Sequence, residues 1–139
     1  MKGINGKSSP VTWQSKKIRR VVRSTLASEA LALADGVDCV LSIAMLLNEL
    51  LFDDYNSNKI PIKCYVDNND LYRAIYSEKH VTERRLRIEI NSFKQLIENK
   101  DIASINWIET DKQIANVLTK NGASGQNILD CFSKGRINF

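Results

Sequence analysis

The chain has one histidine, His80, and three cysteines at wide spacings with no C-x-x-C pair. A histidine-based triad therefore lacks its usual base, and neither a disulfide framework nor a zinc knuckle is signalled. Cys39, Cys64 and Cys131 are expected as small core residues, and His80, within a charged stretch, as a solvated loop residue. Two prolines and six glycines exclude collagenous and low-complexity chains. The one Gly-rich stretch, Gly122-Ala-Ser-Gly125, lacks both a preceding strand and the closing Lys-Ser/Thr of a P-loop. Long apolar runs are missing as well. Val40 to Phe52 is interrupted by Asn48 and Glu49 and is shorter than the roughly 20 residues a spanning helix needs. No signal-like stretch follows Met1, so the expectation is a soluble protein of the cytoplasm or nucleus with no membrane partner.

Acid is missing where it matters most. Residues 1 to 23 carry seven cations, Lys2, Lys7, Lys16, Lys17, Arg19, Arg20 and Arg23, and no Asp or Glu. The rest holds thirteen cations against sixteen acids, so the basicity belongs to the N-terminal segment alone. Lys16, Lys17, Arg19, Arg20 and Arg23 are candidates for phosphate contacts, although a solvated basic arm has the same composition.

What is present reads as one domain of 139 residues, with 43% hydrophobic and 26% charged residues. Val11 and Trp13 alternate with polar neighbours, which predicts a short strand over residues 9 to 15 with Trp13 on a sheet face. From Leu26 the positions Ala30, Leu33, Val37, Val40, Ala44, Leu47 and Leu51 step by three and four, predicting one long helix capped by Ser24 or Thr25, with a kink or close contact at Gly36. A polar turn at 53 to 58 precedes a strand over Ile60 to Val66 that ends at Asp67. Asn68 or Asn69 caps a short helix to Tyr76, and Thr82 caps an amphipathic one carrying Leu86, Ile90, Phe93 and Ile97. Ser104 to Glu109 reads as a strand bearing Trp107, and 111 to 120 and 124 to 133 as helices separated by a Gly122 C-cap. Strands alternating with helices imply parallel crossovers and an α/β class.

Two carboxylates stand out within that order. Asp67 lies at the C-terminal end of an expected parallel strand, where open α/β sheets place their ligand crevices, and it would equally serve as a cap. Glu29 borders the apolar stripe of the long helix and would equally complement the helix dipole.

Four ordered segments give the sequence a likeness: Val11-Thr-Trp-Gln-Ser-Lys-Lys17, Val21-Val-Arg-Ser-Thr-Leu-Ala-Ser-Glu-Ala-Leu-Ala-Leu33, Tyr65-Val-Asp-Asn68 and Trp107-Ile-Glu-Thr-Asp-Lys-Gln-Ile-Ala-Asn-Val-Leu-Thr-Lys120. From about Val11 to Phe132 the chain resembles the ribonuclease H region of copia-like retrotransposon polyproteins, with Lys79 to Ile90 similar to that family's helix before its last strand. The resemblance implies a truncated ribonuclease H-like α/β fold, with a mixed sheet and flanking helices. Residues 1–10 would form a basic segment, 11–133 the domain body and 134–139 a tail.

It also implies the site. Glu29 matches the family's helix glutamate, Asp67 its second-strand aspartate, and Asn116 the position of an acidic residue near the C-terminus. In the family four carboxylates hold two Mg²⁺ ions that cleave the RNA strand of an RNA/DNA hybrid, so Glu29 and Asp67 are the metal-ligand candidates here. The family's first, central strand and its aspartate have no counterpart, because Met1 to Pro10 contains no acid. Halving the negative charge disfavours a paired-ion state. The expectation is a decayed domain without activity. The alternatives are an active nuclease completed by an upstream reverse transcriptase segment, and a nucleic-acid-binding remnant without catalysis.

Overall fold

The computed structural model describes residues 8–18, 21–53, 59–77, 81–119, 122 and 125–135. The chain divides into two compact units, one of residues 18–107 and one of residues 1–17 with 108–139.

The first unit begins with α1, Thr25–Phe52. Ser24 starts it: its side-chain oxygen accepts from the Ala27 N–H at 3.1 Å, satisfying a donor that the first turn leaves open. Asp53 ends it in the left-handed region at φ 50°, its N–H turned back to the Glu49 carbonyl. The buried positions of α1 are Ala27, Ala30, Val37, Ala44 and Asn48, mostly small residues that let the backbones of its neighbours α2 and α3 come close.

The kink or close contact expected at Gly36 is not found. The helix runs through it unbroken, and a Cβ built there meets nothing within 4 Å. The outer end of the apolar stripe also differs: Leu51, expected to face inward, is exposed together with Met45, Leu46 and Leu50. At 28 residues α1 is long and apolar enough to cross a membrane by length and composition, because an 18-residue stretch of it reaches a mean hydropathy of 2.0.

Strand β1, Lys63–Val66, is followed by α2, Asn69–Tyr76, capped by the Asn68 side chain on the Leu71 N–H at 3.0 Å. Helix α3, Arg84–Glu98, begins at Glu83, which makes no side-chain cap bond. Thr82 is not the cap. Its carbonyl and that of Val81 instead accept from the Arg87 guanidinium, which holds the preceding turn against the helix. Lys100, at φ 63°, reverses the chain into Ile102 and then β2, Ser104–Trp107.

The two strands pair in parallel with Cys64 opposite Ile105, as the alternation of strands and helices predicts. The core is one cluster in which Leu71, Ile75, Phe93, Ile102 and Ile105 are all at most 2% exposed. Val37 of α1 and Ile62 before β1 join it.

The second unit holds a 3₁₀ turn at Thr110–Lys112, α4 at Asn116–Thr119 and α5 at Gln126–Lys134. The continuous helix expected over 111 to 120 is broken at Gln113, whose ψ of 108° is extended. Its break has a local cause: the Asn116 side-chain amide donates to the Thr110 carbonyl, a bond that competes with the helical ladder. Gly122 does adopt a positive φ, 82°, while Asn121 lies outside the described residues.

The strand expected over residues 9 to 15 does not form. Val11 is 56% and Trp13 64% exposed, and Trp13 packs edge-on to Phe132 at 6.1 Å rather than lying on a sheet. Alternation makes a strand only where a neighbour supplies a ladder, and the N–H of Ser8 is instead taken by the Gly135 carbonyl at 2.6 Å.

Candidate functional site

Glu29 is the fifth residue of α1 and is half-buried beside Ala30. Because it lies beyond the first turn, the reading of it as a dipole-complementing residue loses its footing. Asp67 follows the last residue of β1 and is likewise half-buried. The cap of α2 is Asn68, so the Asp67 carboxylate is not spent on capping, and among the described residues it makes no hydrogen bond or ion pair. Its backbone carbonyl accepts from the Trp107 indole at 3.3 Å, which ties the end of β1 to the end of β2. Trp107, the last residue of β2, is itself 44% exposed and so lies on the sheet without being a core residue.

Glu29 and Asp67 belong to the unit of residues 18–107, and Asn116 belongs to the other. Among the described residues no three His, Cys, Asp or Glu side chains gather as a metal site. Two carboxylates offer hard oxygens of the kind Mg²⁺ prefers, but they fall short of the set that two ions need.

The basic candidates separate in the same way. Lys16 and Lys17 are exposed in the unit of residues 1–17 with 108–139, Arg23 is exposed before α1 in the other, and Arg19 and Arg20 lie outside the described residues. Arg23 opens onto a cleft of about 790 Å³ between the approach to α1 and the start of α3, where Arg84 and Arg85 also line the wall. Nothing in the local sequence pattern marks those two arginines as functional. Their signal is the run Glu83-Arg-Arg-Leu-Arg87, which reads from sequence as a helix start and as part of the family-like helix.

Of the cysteines, Cys39 is exposed on the outer side of α1 and is not a core residue. Cys64, on β1, has its thiol pushed up to about 11 by burial, which removes it as a nucleophile near neutral pH. In the smaller unit Asp130 is held below the usual carboxylate range by hydrogen bonds from Lys134 and Gln126. His80 and the Cys131 side chain lie outside the described residues. No family model, no curated protein and no solved structure matches the chain.

Proposed function

We propose that this chain is a ribonuclease H-like domain of retroelement descent, ancestrally specific for the RNA strand of RNA/DNA hybrids and without cleavage activity as an isolated chain. The observation that carries the reading is the Asp67 carboxylate, which stands unspent at the C-terminal end of a strand in a parallel pair. Glu29 supplies the second carboxylate, from the second turn of the helix. The neutral Asn116 replaces the third anion, and its amide is engaged with the Thr110 carbonyl.

A second reading, an active nuclease completed by an upstream reverse transcriptase segment, rests on the sheet edges. The Tyr76 hydroxyl occupies both backbone groups of Ile105, so the outer side of β2 is closed there, and a further strand has the side of β1 to join.

The test is a cleavage assay on a labelled hybrid with Mg²⁺. Its three arms are the isolated chain, the chain preceded by a strand bearing an aspartate, and that completed chain carrying Asn116→Asp. The expected result is no cleavage by the first and more by the third than by the second, since the third regains an anionic ligand of the same size. Robust Mg²⁺-dependent cleavage by the isolated chain overturns the reading of a decayed domain. Equal inactivity in all three arms overturns the nuclease ancestry of the site.

A further inference from the structure

We infer that the cleft between the approach to α1 and the start of α3 is a phosphate-binding site whose cations are Arg23, Arg84 and Arg85. At about 790 Å³ it lies within the range of ligand sites, roughly 300 to 1,000 Å³. Its walls include Val22, Ala27, Leu31 and Leu86, apolar surface beside which a charge pair is less screened than in open water.

The arginines differ in what occupies them. Arg87 has its guanidinium on the carbonyls of Val81 and Thr82. Arg23, Arg84 and Arg85 have no hydrogen-bonding or ion-pair partner for their side chains among the described residues, so three planar forks suited to phosphate oxygens are left available.

Helix stability does not account for this placement. Arg84 and Arg85 are the first two residues of α3, where the helix dipole disfavours a cation, and Glu83 makes no compensating side-chain cap. A bound anion offsets that cost, because it is attracted both to the guanidinium groups and to the helix N-terminus. Glu83 and Glu89 also line the cleft, and its described residues sum to one net positive charge, which favours a phosphodiester or a single phosphate over a polyphosphate. Among the described residues no aromatic side chain lines it, so the recognition argued here is of the phosphate and not of a stacked base.

This site uses none of Glu29, Asp67 or Asn116 and stands apart from the nuclease reading. Its phosphate has two sources, a free phosphate or the backbone of a nucleic-acid strand. The experiment uses the full chain with inorganic phosphate, followed by thermal unfolding and calorimetry, and separately with a labelled oligothymidylate, followed by anisotropy across a salt series.

With free phosphate, saturable stabilisation is expected, and it should be lost in the triple variant Arg23→Gln, Arg84→Gln, Arg85→Gln. With the strand, the triple variant should shrink the slope of log K against log salt by about 2. The double variant Glu83→Gln, Glu89→Gln should tighten binding by about threefold, a gain that a misfolded protein does not produce. Loss of phosphate binding alone identifies a free phosphate as the ligand, and loss in both arms identifies the strand backbone. Wild-type protein that binds neither probe, or a triple variant that binds both as the wild type does, overturns the site whatever the hybrid assay shows.

Discussion

The hydroxyl of Tyr76 donates to the carbonyl of Ile105 at 3.0 Å and accepts from the N–H of the same residue at 3.2 Å. One side chain of α2 thereby stands in for a neighbouring strand at the outer side of β2. A parallel pair without such a plug exposes donors and acceptors along both of its edges. Tyr76→Phe keeps the ring against Tyr72, 5.0 Å away, but releases both backbone groups. The expected cost is about 1 kcal/mol, together with increased self-association at high concentration. Urea unfolding and light scattering check the two effects, and the urea midpoint should fall with the slope unchanged.

Gly36 and Ser24 make opposite predictions on the same helix. Nothing lies within 4 Å of a Cβ at Gly36, so Gly36→Ala should stabilise the protein by about 1 kcal/mol through helix propensity alone. Ser24→Ala removes the oxygen that caps the Ala27 N–H and should destabilise by about 1 kcal/mol. Thermal melts of the two variants and of their combination should show near-additive shifts, because the sites are three turns apart.

Cys64 ties stability to alkaline pH. Its thiol keeps its proton in the folded chain up to about 11, against 9.0 when exposed. Between those values the unfolded chain has lost a proton that the folded chain still holds, so stability falls as pH rises, by about 3 kcal/mol at most. Cys64→Ala should flatten this slope in denaturant titrations from pH 8 to 11. Well below pH 9 the thiol is protonated in both states and the slope from this group vanishes.

Asn116→Asp, the substitution that restores an anion, should weaken the segment that carries it. The amide of Asn116 donates to the Thr110 carbonyl, and a carboxylate at that place has no proton to give. In the isolated chain the variant should lose about 1 kcal/mol, read as faster amide exchange over residues 110 to 119 without a matching change over α3.

Local signals carried the elements of the larger unit. A serine before an apolar period of three and four predicts α1, an asparagine after a β-branched run predicts α2, and the alternation of strand and helix predicts that β1 and β2 run parallel. The first two depend on residues within a turn or two of one another, the range over which caps and periodicity act, and the third on the order of the elements found that way. The same range explains what the sequence left open. Val11 and Trp13 alternate as a strand does, but a strand exists only where another backbone completes its ladder, and no local pattern reports that absence. Asp67 reads as a cap or as a ligand from sequence. Only the fold, by giving the cap to Asn68 and the Trp107 indole to the Asp67 carbonyl, leaves its carboxylate available. Arg84 and Arg85 read as an ordinary helix start. Folding α1 beside α3 sets them with Arg23 around one cleft, because a pocket is made by elements far apart in the chain.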